Sequence, residues 1–147
     1  MEIVGTVTNL LQEKGSRIWS VKPDATVYEA IELMAGKNIG AVPVVDGGKL
    51  LGILSERDYT RKVILKGKSS KKTPVREIMS AEQMVVVGPD HSIEECLRLM
   101  TEKRVRHLPV IDDGKMVGLV SIGDMVNWII SAQSAALEQM ESYLAGR

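Results

Sequence analysis

The sequence predicts an α/β (α+β) fold of two β-α-β-β-α repeats packed with pseudo-twofold symmetry, followed by a C-terminal helix. Three observations predict it. Displacing the chain by 66 residues lays Val21-Lys22-Pro23-Asp24 on Val87-Gly88-Pro89-Asp90 and Pro43-Val44-Val45-Asp46 on Pro109-Val110-Ile111-Asp112, without a gap. Over Val21–Asp58 the copies share 15 of 38 residues, where ordinary residue frequencies would give roughly two or three. Within each copy apolar residues at helical spacing are followed, at the same place, by two short apolar runs read as strands. Finally, a unit of roughly 60 residues buries too little surface for a comfortable core of its own, so the copies are expected to pack face to face.

Each copy opens on a short β-branched run, Ser20–Lys22 or Val85–Val87, read as a strand ended by proline. Thr26-x-x-Glu29 and Ser92-x-x-Glu95 are capping boxes, in which hydroxyl and carboxylate satisfy reciprocal backbone donors at a helix start. Behind them Val27, Ala30, Ile31 and Met34, and Ile93, Cys96, Leu97 and Met100, fall on one helix face. Ala41–Val45 and His107–Ile111 are read as strands, and the proline inside each places it at an edge or where the ladder is interrupted. Asp46-Gly47-Gly48-Lys49 and Asp112-Asp113-Gly114-Lys115 are tight turns in which glycine supplies positive φ. Leu50–Leu54 and Met116–Val120 return as hairpin partners, and a helix closes each copy over Arg57–Leu65 and Asp124–Ile130.

Lys66–Pro74 is polar and basic and reads as a linker. Val75-Arg76-Glu77-Ile78-Met79 then opens the second copy much as Val7-Thr8-Asn9-Leu10-Leu11 opens the first. The chain so divides into repeats over 5–68 and 74–131 and a helical extension over 132–147. Towards its end Val126, Ile130, Gln133, Leu137, Met140 and Leu144 step by 4-3-4-3-4, a heptad seam without counterpart in the first copy. Such a stripe needs a surface to cover. That surface is either its own domain or a second subunit, the latter preferred because the pair is complete without the seam.

Lys+Arg and Asp+Glu both number 19, so no global charge draws the chain to nucleic acid or an anionic membrane. Lys66, Lys68, Lys71 and Lys72 read as a solvated loop, since no aromatic stacking residues accompany them. The single cysteine, Cys96, leaves no intramolecular disulfide and suits a reducing cytoplasm, and its place on the buried helix face makes it a small hydrophobe. The N-terminus lacks the features of a signal peptide, and every apolar run falls far short of the ~20 residues that span a bilayer. Two histidines, His91 and His107, and one cysteine at unrelated spacings predict no metal site. No nucleophile elbow, phosphate-loop lysine or dinucleotide fingerprint predicts an enzyme.

The tandem unit, with its apolar-Pro-Val strand, Asp-Gly turn and Gly-apolar-apolar-Ser-x-x-Asp endings at Gly52–Asp58 and Gly118–Asp124, resembles the cystathionine β-synthase (CBS) domain family. Two copies resemble the paired arrangement called a Bateman module, over roughly residues 5–130. Ser55-Glu56-Arg57-Asp58, Ser121-Ile122-Gly123-Asp124 and the C-terminal helix look like a group of short bacterial stand-alone pairs. The resemblance implies a non-catalytic regulatory module that takes AMP, ATP or NAD. It also implies a homodimer of pairs, held through the pairs and the C-terminal helix, and a downstream protein target that the sequence does not identify.

In that family the motif aspartate receives the two ribose hydroxyls and the Ser or Thr contacts phosphate. The match carries these roles to Asp58 and Asp124, and to Ser55 and Ser121. A carboxylate suits a vicinal diol that donates two hydrogen bonds, and a hydroxyl with free N–H groups at a helix start suits an anion. The same pattern is also a plain helix cap, and capping and binding can coexist. Arg57 is the phosphate candidate beside the first motif; Arg106 and His107 are those of the second copy, where Gly123 would admit a phosphate to the backbone. His107 also reads as an ordinary half-exposed strand residue. The family's adenine contacts are largely backbone and apolar, which implicates Ser20, Val21 and Lys22 with Gly40, Ala41, Val42 and Pro43. In the second copy they implicate Val86, Val87, Leu108 and Pro109. Two inequivalent half-sites follow, for one dinucleotide or two mononucleotides. The competing reading is a ligand-independent oligomeric scaffold whose Ser-x-x-Asp motifs only cap helices.

Overall fold

In the computed structural model, which describes residues 2–15, 17–82 and 84–145, each repeat is centred on an antiparallel hairpin. β1 (Ala41–Asp46) pairs with β2 (Lys49–Ser55), and β3 (His107–Asp112) with β4 (Lys115–Ser121), in the same register displaced by 66 residues. Both loop residues of each turn have positive φ: Gly47 and Gly48 at 60° and 78°, Asp113 and Gly114 at 51° and 76°. That mirror-image turn matches the twist of the strands it joins. Pro43 lies opposite Ile53, whose N–H and C=O turn away from it to Ser80, at 2.9 and 2.8 Å. The donor that proline lacks is therefore not called for, which is why a proline sits inside a paired strand.

The helices α2 (Val27–Lys37) and α4 (Ile93–Lys103) start on the expected caps. Ser92 and Glu95 close a full capping box, and its hydrogen bonds from Ser92 hold the Glu95 carboxyl below the usual carboxylate value. In the first copy only the Thr26 hydroxyl half is made. Val27, Ala30 and Met34, and Ile93, Cys96 and Met100, are buried as their spacing requires. The Cys96 thiol is pushed up to about 11 by burial, which leaves it protonated and inert.

Two expected elements are corrected. The strands over Ser20–Lys22 and Val85–Val87 shrink to single parallel bridges, Val21 with Val44 and Val87 with Val110, because a proline two residues on ends the pairing. The expected helix over Arg57–Leu65 is one α turn, α3 (Glu56–Tyr59), widening into a π turn over Thr60–Ile64. The linker is also more than a solvated loop. Thr73 is buried, its hydroxyl donates to Ser69 C=O at 2.7 Å, and Ser70 C=O receives the Tyr28 N–H.

The two halves exchange their opening segments. Val75 and Ile78, which open the second repeat, are buried with Val27, Val42, Val44, Leu54 and Val63 of the first. Val7 and Leu10 of α1 (Val7–Lys14) are buried with Ile93, Leu108, Val110, Val120 and Met125 of the second. The backbone follows the same symmetry: Val75 N–H donates to Ala25 C=O and Val7 N–H to His91 C=O, at 2.8 and 2.9 Å. Each fully buried Val or Leu is worth about 1.5–3 kcal/mol, so neither half keeps its core without the other's leading segment.

α5 (Ile122–Ala145) runs unbroken from the second hairpin, so the extension expected from residue 132 continues the closing helix; Gly146 and Arg147 lie outside the described residues. Met125 enters the core and Trp128 packs on it, donating Nε1–H to Val4 C=O at 2.8 Å. Beyond them Ile130, Leu137, Met140 and Leu144 are exposed. Among the described residues no helix is long and apolar enough to cross a membrane.

Candidate functional site

Each Ser-x-x-Asp motif lies where a hairpin strand turns into a helix. Ser55 is the N-cap of α3: its hydroxyl accepts the Asp58 N–H at 3.1 Å, and Asp58 Oδ2 accepts the Ser55 N–H and hydroxyl, both at 3.0 Å. On the other oxygen Oδ1, Asp58 receives the Ser80 hydroxyl at 3.1 Å and the Lys62 ammonium at 3.2 Å. Four donors thus occupy a carboxylate with about four acceptor positions, and the residue is only 9% exposed. Asp124 caps α5 in the same way, its Oδ2 accepting the Ser121 N–H at 2.8 Å while its own N–H donates to the Ser121 hydroxyl at 3.1 Å. Its second partner is Lys14 of α1, which also donates to Leu119 C=O at 2.6 Å. Both aspartates therefore serve as caps, one with all its positions taken and the other more open.

Two clefts of similar make-up contain these aspartates. One, of about 630 Å³, sets Ile53, Ser55, Arg57, Asp58 and Ser80 against Met84, Val85, Arg104, Val105, Arg106 and His107. The other, of about 420 Å³, sets Leu119, Ser121, Asp124 and Lys14 against Ile18, Trp19, Asn38, Ile39, Gly40 and Ala41. Both sizes suit a small molecule. Each motif thus faces the loop that enters the proline-bearing strand of the other repeat. This corrects the assignment of Arg57 to one site and Arg106 to the other, for both arginines line the Asp58 cleft. Arg104 joins them, held at φ 55° where it ends α4. His107 reaches both clefts. Burial pushes its imidazole below the ordinary value, with Lys14 and Arg106 adding to the effect and Asp124 opposing it.

Other expected contacts fall elsewhere. Of the residues read as adenine neighbours, Gly40 and Ala41 line a cleft, whereas Ser20, Val21, Lys22, Val42, Pro43, Val86, Val87, Leu108 and Pro109 line neither. Val42, Val87 and Leu108 are committed to the two cores. Gly123 also lies outside both clefts. Trp19 and Val85, two residues ahead of the bridging Val21 and Val87, take the cleft positions instead, and the Trp19 ring has Arg17 at 4.6 Å and Lys37 at 4.0 Å from its centre. Lys14, Ser80 and Lys62 were not legible as site residues, because each reaches its aspartate through tertiary packing or a helical turn that the motif does not contain. Among the described residues no three His, Cys, Asp or Glu side chains gather as metal ligands.

Comparison with known proteins adds to this geometry. The CBS domain family matches twice, over residues 15–64 and 75–131. The chain is 39% identical to the CBS domain-containing protein CBSX3, mitochondrial, of Arabidopsis thaliana, over 96% of this chain and 72% of that one. A structure described as a putative signal-transduction protein with CBS domains from Burkholderia ambifaria MC40-6 superposes with a TM-score of 0.83 and 51% identity, covering 88% of this chain and 96% of that one. The CBS domain pair of protein MJ0100, in complex with 5′-methylthioadenosine and S-adenosyl-L-methionine, shares the fold at a TM-score of 0.77 and 23% identity, covering 88% and 98%. Duplicated motif, reciprocal cores and both family matches agree: the chain belongs to the CBS domain family, with two copies in tandem.

Proposed function

We propose that this CBS pair is a non-catalytic sensor that binds adenine nucleotides, AMP, ATP or NAD, in its two clefts and passes the signal to a partner protein. One observation carries the reading: each Ser-x-x-Asp helix start faces, across a ligand-sized cleft, basic residues and the strand-entry loop of the opposite repeat. A carboxylate for a diol, helix-start amides and hydroxyl for an anion, and arginines for phosphate are the groups a nucleotide needs. The same fold holds two adenosine-containing ligands in the MJ0100 pair. Repeats over 5–68 and 74–131 and the extension over 132–147 are its proposed chain segments, and the cytoplasm its proposed compartment. A homodimer through the pairs and α5 completes it.

Isothermal titration with AMP, ADP, ATP and NAD tests this. Binding is expected, and Asp58→Asn or Asp124→Asn weakens the affected cleft at least about tenfold, since a hydrogen bond to a charged group is worth about 1.5–3 kcal/mol. Silence across all four ligands overturns the reading in favour of a ligand-independent scaffold. That alternative draws on one specific observation, that both aspartates already work as caps.

A further inference from the structure

The segments that close the two repeats occupy equivalent positions but carry opposite charge. Ile64 and Ile130 correspond under the 66-residue displacement, and each is 55% exposed. After Ile64 the chain leaves its helix: Gly67 takes φ 67°, and the Lys68 N–H turns back to Val63 C=O at 3.0 Å. Leu65 is left exposed at that turn. After Ile130 the chain makes no turn, and α5 continues to Ala145.

Positions 61–76 hold seven Lys or Arg and no Asp or Glu. Lys62 answers Asp58 and Arg76 answers Asp24, whereas Lys66, Lys68, Lys71 and Lys72 form no ion pair with a described residue. Past Asp124, α5 has the reverse make-up: two acids, Glu138 and Glu141, and no Lys or Arg. Neither glutamate forms an ion pair with a described residue. Each face thus joins exposed apolar side chains to uncompensated charge of one sign, Ile64 and Leu65 beside lysines, Leu137, Met140 and Leu144 beside glutamates.

Within one chain these faces do not cover each other, for every residue from Ser131 to Ala145 is exposed. A second copy supplies both complements. A twofold axis that lays one tail on the partner's basic segment lays the partner's tail on the first, so the contact closes and is made twice. It has the apolar centre and charged rim of a specific interface. Two tails set seam to seam would instead gather only carboxylates and leave the lysines unmatched, a like-charge arrangement that association disfavours.

We infer that the outer part of α5 docks on the basic closing segment of a second copy, Leu137, Met140 and Leu144 covering Ile64 and Leu65 while Glu138 and Glu141 meet Lys66 and Lys68. The first repeat of one chain then faces the second repeat of the other. This rests on the homodimer proposed above and deepens it by naming the two surfaces that meet.

Sedimentation equilibrium of the full chain, at one low ionic strength, tests it. Lys66→Glu with Lys68→Glu, and separately Glu138→Lys with Glu141→Lys, should each raise the dimer dissociation constant about tenfold or more, since both copies of the contact turn repulsive. The chain that carries all four substitutions should return to within about threefold of the wild type. Circular dichroism and thermal melting check folding, and Lys66→Gln with Lys68→Gln, with an expected rise of about threefold, replaces a lysine reversal that does not fold. A dissociation constant unmoved by removing the lysine charges, or no recovery in the combined variant, overturns the tail-on-linker contact and leaves the homodimer standing. A wild type that stays monomeric ends the homodimer reading and this inference with it.

Discussion

Leu11 lies so close to Gly118 that a Cβ built on the glycine would stand 2.8 Å from its Cδ2. Met79 meets Gly52 in the same way, with its Sδ at 2.8 Å and the Ser80 C=O at 3.0 Å from such a Cβ. The glycine that opens each Gly-x-x-Ser-x-x-Asp motif is thus the seat of the segment exchanged from the other half.

Gly52→Ala should therefore destabilise more than Gly118→Ala. At Gly52 the obstruction includes backbone, and overpacking of this kind costs about 1–3 kcal/mol. At Gly118 only the flexible end of Leu11 must give way, and the cost falls to less than about half of that. Urea unfolding midpoints at constant m-value give the comparison.

The two aspartates should likewise differ in what they contribute to folding. Asp58→Ala removes the acceptor of the Lys62 ammonium, the Ser80 hydroxyl and the Ser55 N–H, around a carboxylate only 12% exposed, a loss of about 1–3 kcal/mol. Asp124→Ala costs about 1 kcal/mol or less, because the Asp124 carboxylate is more exposed, 21% against 12%, and accepts from fewer donors. Equal losses in thermal or urea unfolding would contradict the difference in their environments.

His107 should place an acid limb on the stability curve. Burial, aided by Lys14 and Arg106, holds its imidazole below the ordinary 6.5, so the unfolded chain takes up the proton more readily. Stability is then full above pH about 6.5 and declines as the pH falls through the folded-state value. His107→Gln should flatten the fall in urea midpoint between about pH 7 and pH 5.

The outer part of α5 should hold two chains together. Leu137, Met140 and Leu144 are 59%, 61% and 68% exposed on a 24-residue helix about 36 Å long. Leu137→Glu with Met140→Glu should shift sedimentation towards the monomer. The stability of the single chain should stay within about 0.5 kcal/mol, as for other exposed positions. An unchanged sedimentation profile would exclude the seam as the contact.

Much of this architecture was legible in the chain. The 66-residue displacement, the caps at Thr26 and Ser92, the buried faces of α2 and α4 and the hairpin turns all depend on neighbours within a few positions, and they stand as the residues predict. Ser20–Lys22 and Val85–Val87 were over-read because β-branched composition signals an extended backbone without saying how many residues find partners. The Asp58 and Asp124 motifs were legible for the same local reason that makes them caps. Their surroundings were not: Lys14, Trp19 and Arg104 carry no pattern that points to an aspartate on another segment.

What the sequence by itself determined, then, is the duplicated unit and the helix starts on which both aspartates sit, since these follow from backbone geometry and short-range hydrogen bonding. Only the tertiary structure decided that Val7 and Val75 lend themselves to opposite cores, that Arg57 and Arg106 share one cleft, and that Lys14 stands beside Asp124. The physical reason is that burying two incomplete cores requires the halves to exchange their leading segments, and that exchange selects which distant charges meet.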